Sequence, residues 1–425
     1  MKKIITLILA VAAATAVLAA EGGVEFSGEV ESLWGIGAPW TDSDTAAGKY
    51  TLGDTGFTGT LDAFYDKSSA FAEGSVSYNA ISKALDISVS ELWLDYTDSF
   101  WGIRIGRQKT AWGKADGIDI TNVICPKDMS GFSAMVSDDS HLAIDAVRLS
   151  LSGEKYTADV FWIPFFTPTP LPLDDGNVLR KYVVPETYSV SVPSLGTLKL
   201  PISLGTIEEP EKAIWNSEFG AKVSGYFSAC DLSLYGFYGW DDMPVLDYGM
   251  TMSSGMPSGI NVSGKYKRLT MFGADAAVPI KEFVIRTELA FFPDRYFTSE
   301  EKRNQISALA GVDWMPTDWT ITAQYFCEAV FGDLDKIKRE DAYTHGATLS
   351  VSRKFLNETL EASFSGLVNF NDFDSLLNPS VNYSLSDQIT LEGGAYIFIP
   401  GHDKDGKYGA YKDLSTIYIR AKYSF

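Results

Sequence analysis

From residue 24 to the carboxyl end, the chain returns repeatedly to segments of about ten residues in which apolar and polar side chains alternate. A period of two puts successive residues on opposite faces of an extended strand, so these segments predict sheet with one apolar and one polar face. Eighteen strands are expected, near 24–34, 55–66, 70–80, 85–97, 100–110, 141–152, 155–163, 215–228, 231–240, 265–277, 281–292, 304–315, 318–330, 342–353, 357–369, 375–385, 387–399 and 414–425. Alternation is clearest at 215–227, where Trp215, Phe219, Ala221, Val223 and Phe227 oppose Asn216, Glu218, Lys222 and Ser224. It breaks in 85–97, where the apolar set passes from Ile87 and Val89 to Leu92, Leu94 and Tyr96, and a bulge near Ser90 accounts for the change.

The joints carry a second pattern. Asp66–Ser69, Asp98–Ser99, Ser152–Lys155, Ser228–Asp231, Pro279–Lys281, Met315–Asp318, Lys354–Asn357 and Ser384–Asp387 read as tight turns at every second connection. The connections between them include long ones, at 35–54, 111–140, 164–214, 241–264 and 400–413. This asymmetry, with an even strand number, is that of an antiparallel transmembrane β-barrel of about 18 strands, 16 to 20 if a weak pair merges or splits, with short turns on one side and long loops on the other.

Lys2 and Lys3, the apolar run Ile4 to Leu18 and the small residues Ala19 and Ala20 read as a secretory signal peptide, so 1–20 is expected to be removed and 21–425 to form the barrel. No later stretch approaches the roughly 18 apolar residues a membrane helix needs. Aromatic residues make up 13% of the chain, and Trp34, Trp93, Tyr96, Trp101, Trp162, Trp215, Trp240, Trp314 and Trp319 fall near strand ends, where interfacial girdles lie. A soluble β-sandwich also uses short alternating strands, but needs one face against a core.

The net charge of -20, or -22 without Lys2 and Lys3, argues against nucleic acid and against binding an anionic lipid surface by bulk charge. Cys125, Cys230 and Cys327 are odd in number and widely spaced, and His141, His345 and His402 are scattered, so no disulfide framework, metal cluster, cofactor site or His-based triad is expected. An outer-membrane lipase or protease would need partners beside His345 that the pattern does not show, and the chain is read as no enzyme.

The last nine residues sharpen this reading. Ile417, Ile419, Ala421, Tyr423 and Phe425 share one face, and Tyr418, Arg420, Lys422 and Ser424 the other. This strand resembles the closing strand of bacterial outer-membrane β-barrels, in which the terminal aromatic pattern is also the assembly signal. The resemblance implies an outer-membrane location with both termini periplasmic, contact with outer-membrane lipid, and dependence on the barrel-assembly machinery through Tyr423 and Phe425. Gly106-Arg107-Gln108, Trp112-Gly113, Asp116-Gly117, Thr121-Asn122 and Pro126 with Asp128 resemble the Gly-Arg-Gln, Trp-Gly and Asn-Pro-x-Asp run of a family of porin-like outer-membrane proteins, with Cys125 standing where Asn or Ser is expected. Arg107, Gln108, Trp112, Asp116 and Asp128 are its loop-motif residues, and Asp116, Asp119 and Asp128 are expected to meet Arg104 and Arg107 inside the lumen. Arg107 has the parity of outward Ile103 and Ile105, so a bulge turns it inward or it stands above the membrane.

The inward set is charged. It includes Glu25, Glu29, Glu31, Asp62, Glu73, Asp159, Glu218, Glu288, Glu361 and Glu392 against Arg104, Arg148, Lys222, Arg286, Arg420 and Lys422. Unpaired buried charge costs several kcal/mol, so this face requires water or a polar plug. Pore-lining candidates are Arg104, Arg148, Arg286, Glu218, Lys222, Glu288, Glu392 and Arg420, which fit either a lining with weak preference for cations or neutral solutes or a salt-bridge lattice. Segment 164–214, with eight prolines, is expected to fold into the barrel mouth and narrow it, or to form an ordered flap with a hairpin at 187–205. The function expected is a porin passing small hydrophilic solutes by passive diffusion, with homo-oligomers open. The alternatives are a plugged or hydrophobic-substrate transporter of the fatty-acid-transporter type and a surface adhesin. Only about 15 residues separate the signal site from the first loop, which leaves no room for an N-terminal plug.

Overall fold

The computed structural model describes residues 22–41, 46–132, 136, 140–174, 177–192, 196–402 and 406–425, and the expected signal peptide lies outside them. The strands are, in chain order, β1 Gly23–Gly37, β2 Tyr50–Tyr65, β3 Ser68–Asn79, β4 Ala84–Thr97, β5 Trp101–Gln108, β6 Ile144–Ser152, β7 Tyr156–Ile163 and β8 Thr187–Val192. There follow β9 Gly196–Glu208, β10 Glu218–Tyr226, β11 Asp231–Trp240, β12 Val245–Ser253, β13 Met256–Lys265, β14 Arg268–Ile280, β15 Phe283–Tyr296 and β16 Lys302–Trp314. The last are β17 Trp319–Phe331, β18 Tyr343–Phe355, β19 Leu360–Asn369, β20 Asp374–Ser384, β21 Ile389–Ile399 and β22 Thr416–Ser424.

Eighteen of these form one sheet, all but β8, β9, β12 and β13. Each wall strand pairs antiparallel with the next wall strand in the chain, and β22 pairs with β1, from Glu29 opposite Ser424 to Gly37 opposite Thr416. The sheet is therefore a closed barrel without a free edge, the form in which strands satisfy every backbone group in a bilayer. All eighteen expected strands fall on wall strands, with ends shifted by a few residues.

Side chains follow the expected parity. Val30, Leu149, Leu234, Ile285 and Leu289 are exposed on the outer face, and Leu33, Tyr235, Met271 and Gln305 are buried on the inner one. Ser90 is the extra residue on β4: Glu73 faces Glu91 and Gly74 faces Val89, so the ladder skips it. The bulge turns Trp93 inward, where it stacks on Phe71 at 5.3 Å under Arg104, so Trp93 is not a girdle residue as the sequence implied.

Four of the eight short turns carry left-handed residues, at Asp66, Lys281, Thr317 and Leu356 to Glu358, which suits the twist of their strands. At the long-loop end a second sheet runs in the order β12, β13, β9, β8, with β13 parallel to β9. Its β8–β9 hairpin was expected at 187–205; the β12–β13 hairpin was read as plain loop.

Candidate functional site: the lumen and its inserted loop

The segment that occupies the barrel is 109–132, in the connection between β5 and β6. Its Trp112 is 4% exposed and meets Tyr235 at 5.1 Å, Phe161 at 6.1 Å and Phe237 at 6.4 Å, all inward residues of β11 and β7. Ile120, Ile124 and Cys125 join the same buried cluster with Met271 of β14, Ala290 and Phe292 of β15 and Leu309 of β16. The loop thus lies against the inner faces of β7, β10, β11 and β14 to β16 as an apolar strip laid on an apolar wall.

Polar contacts fix its position. The carboxylate of Glu288 on β15 accepts the backbone N–H groups of Lys114 and Ala115 on one oxygen, and the N–H (3.3 Å) and hydroxyl (3.0 Å) of Thr121 on the other. The Tyr235 hydroxyl accepts from Gly113 N–H at 3.0 Å and donates to Asp275. Gln324 on β17 donates to the Asp116 carbonyl at 2.7 Å and accepts from Asp116 N–H at 3.0 Å. Arg286 donates to the Lys114 carbonyl at 3.0 Å and is ion-paired with Asp313. A Cβ on Gly113, whose φ is +94°, would meet the Glu288 carboxylate at 2.5 Å, which gives the Trp-Gly pair its physical reason.

The loop then crosses the lumen. Phe132 reaches the opposite wall and packs on Tyr396 and Phe398 of β21, in a cluster with Leu33, Leu52 and Tyr418. A second segment runs beside it. Thr169 N–H donates to the Asp242 carbonyl (3.1 Å), Met129 N–H to the Pro170 carbonyl (3.1 Å) and Asn177 to the Ser130 carbonyl (2.5 Å), before Leu179 and Tyr182 join the same far-wall cluster. So 164–174 and 177–184 enter the mouth, and β8 and β9 join β12 and β13 in the outer sheet.

The sequence-predicted lining residues divide into wall pairs and loop anchors. Arg104 pairs with Asp95 at 3.0 Å, Arg148 with Asp159 at 2.9 Å, and Arg420 with Glu392 at 2.8 Å and Glu31 at 3.6 Å. Glu392 also accepts from the Tyr418 hydroxyl at 2.6 Å. Glu218 is buried at a strand end and accepts Trp240 N–H at 2.8 Å, and the Lys222 ammonium lies 5.4 Å from the Tyr235 ring centre. Arg286 and Glu288 hold the loop.

The motif acids do not meet Arg104 or Arg107. Arg107 is on the outer face and pairs with Asp145 at 3.0 Å. Asp119 pairs with His141 at 3.0 Å, and Asp128 accepts Ser130 N–H at 2.8 Å. The motif's structural content is elsewhere: Gln108, fully buried, donates to the Ala146 carbonyl at 3.0 Å, and Gly106 at φ +130° sits where a Cβ would strike the Leu92 carbonyl. Tyr235, Gln324 and Asp313 were not singled out. Their inward parity was readable, but not which distant loop segment each would hold.

A bare stretch of the wall remains. On β18 to β20 the inner face presents Thr348, Ser350, Ser352, Glu361, Ser363, Ser365, Ser380 and Asn382, none of them buried, and on β3 no residue is buried. Among the described residues Glu25, Asp62, Glu73 and Glu361 enter no ion pair, and Glu25 stands directly opposite Asp62.

No protein-family model matches the chain, and no curated protein matches it. Solved structures do. OccAB4 of Acinetobacter baumannii superposes with a TM-score of 0.54 at 9% identity, over 96% of this chain and 99% of that one. The outer membrane protein opdK of Pseudomonas aeruginosa gives 0.52 at 7% identity, over 95% and 99%. OccK2 (OpdF) of the same organism, solved in complex with glucuronate, gives 0.50 at 10% identity, over 96% and 98%. At these identities the shared property is the barrel fold.

Proposed function

We propose that the chain is an outer-membrane porin through which small hydrophilic solutes diffuse passively, with the short turns and both termini on the periplasmic side. The observation that carries this reading is the contrast inside one closed barrel between an inserted loop and a bare, hydroxyl- and amide-lined stretch of wall on β18 to β20. Such a lining has no apolar partner and is stable only in water. Wall charges locked in pairs keep the lumen polar without closing it, and the unpaired Glu25, Asp62, Glu73 and Glu361 bias it toward cations and neutral solutes. OccK2, with glucuronate bound, is a barrel of this fold holding a small hydrophilic molecule. The terminal strand supports assembly by the barrel-assembly machinery: Phe425 exchanges both backbone hydrogen bonds with Gly28, at 2.9 and 3.0 Å, and packs on Phe57 and Phe26.

Liposome swelling with uncharged sugars of increasing size tests the reading. Rapid swelling with the smallest sugars and a sharp cut-off with larger ones is the expected result. Folded protein that passes none of them contradicts it and favours a plugged transporter or an adhesin.

A further inference from the structure

Behind the inserted loop, at the long-loop end of the barrel, lies a cavity of about 180 Å3. At roughly 30 Å3 per water it has room for about six waters, the size of a small organic solute. The loop closes one side with Asp119, Ile120 and Val123, the wall closes the other with Leu269, Phe292 and Ser307, and Asp241 and Asp242 enter from the connection after β11.

Its charges are nearly all spent. Asp241 accepts both Nε (2.8 Å) and Nη2 (3.2 Å) of Arg295, whose Nη1 donates to Gln305 at 3.1 Å. Glu328 accepts from Arg339 at 2.8 Å and from Gln305 at 2.9 Å. Asp119 is held by His141 at 3.0 Å, Asn122 at 3.2 Å and Lys127 at 4.0 Å. Asp242 differs. One oxygen takes the Thr169 hydroxyl at 3.1 Å, and among the described residues the carboxylate enters no ion pair.

We propose that this chamber is a binding subsite for a small solute bearing a cationic nitrogen, an alkylammonium or guanidinium, seated on Asp242 with its carbon chain against Ile120, Val123 and Leu269. The geometry fits no small carboxylate as well, because both donor faces of Arg295 are already taken by Asp241 and Gln305. Burial and the adjacent Asp241 push the Asp242 carboxyl up to about 6, so its negative charge is held at a cost that an arriving cation removes. The proposal rests on the porin reading for its role in transport, but binding itself does not require conduction.

Two readouts with propylammonium, propionamide and propionate as probes separate the two. Calorimetry on the detergent-solubilised barrel reports binding, and single-channel recording reports block. Propylammonium should bind and produce current interruptions, the other two should not, and Asp242→Asn should weaken propylammonium binding about 10- to 100-fold, as loss of a charged hydrogen bond implies. Asp242→Glu should recover part of it. Binding without conductance would support the subsite and contradict the porin. Conductance with no binding, equal binding of propionamide, or propylammonium binding unchanged in Asp242→Asn would overturn the subsite.

Discussion

Two regions of the inner wall, one covered by the loop and one bare, differ in what they bury. Under the loop, β11 and β14 to β16 present Tyr235, Met271, Glu288, Ala290 and Leu309, each buried and in contact with a segment more than 100 residues away in sequence. On β18 to β20 the same inward parity carries Ser350, Ser352, Ser363, Ser365, Ser380 and Asn382, none of them buried, and only at the loop end of β20 do Asp374 and Leu376 meet the Tyr408 N–H and the far-wall cluster. Alternation alone makes both regions face inward. What separates them is side-chain size and apolarity on the inward positions: large and apolar where a loop must lie dry, small and polar where the surface meets water.

The comparison predicts opposite responses to substitution. Trp112→Ala empties the centre of the covered region and should cost about 3–5 kcal/mol of loop attachment. Limited proteolysis checks it: cleavage within 109–132 should appear in the variant while the barrel itself stays resistant, and an uncut loop would mean that the indole does not hold it.

Much of this was legible beforehand, and the rest was not for a definite reason. Strand positions, the turn and loop asymmetry and the Ser90 bulge follow from local periodicity, which a wall strand expresses residue by residue. Which loop enters the barrel depends on long-range matches such as Glu288 to the N–H groups of Lys114, Ala115 and Thr121, and these leave no periodic trace. Composition pointed to the proline-rich 164–214, but only its first part, through Leu179 and Tyr182, enters the mouth, and it does so beside 109–132. The β12–β13 hairpin did leave a trace: Tyr248, Met250 and Met252 alternate before Ser254-Gly255, whose φ values of 51° and 79° are those of a tight hairpin turn.

The bare region gives the next largest effect. Ser363→Trp adds an indole to a wet wall with room for it, so folded yield should hold while sugar flux falls. The same indole at Leu309, which is 3% exposed beneath the loop, should overpack the covered region and reduce folded protein. Equal effects at the two positions would erase the distinction between the regions.

Deleting Phe425 tests the seam that both regions share. Its ring meets Phe26 at 6.1 Å and Phe57 at 6.4 Å, so its removal should reduce the heat-modifiable, folded band in the outer membrane. Normal assembly would mean that the aromatic end is incidental.

The smallest effect is a pH dependence at Asp242, which shares the chamber with Asp241, Arg295, Asp119, Lys127, His141 and Glu328. Its carboxyl titrates near 6 in the fold, above the unfolded value of about 4, so its proton contributes stability that is complete below about 4 and lost as pH rises through about 6. Asp242→Asn should therefore melt higher than the native protein at pH 8 and equal to it at pH 4. Identical melting at both values would place Asp242 in water rather than in the chamber.

The central claim is that segment 109–132 narrows an otherwise open barrel, and single-channel conductance in planar bilayers measures it directly. The native protein should give discrete open steps. Glu288→Ala, which strands the donors of Lys114, Ala115 and Thr121 and frees the loop from its wall, should give larger and noisier ones. Silent bilayers for both proteins, or steps of the same size with the loop released, would contradict the account.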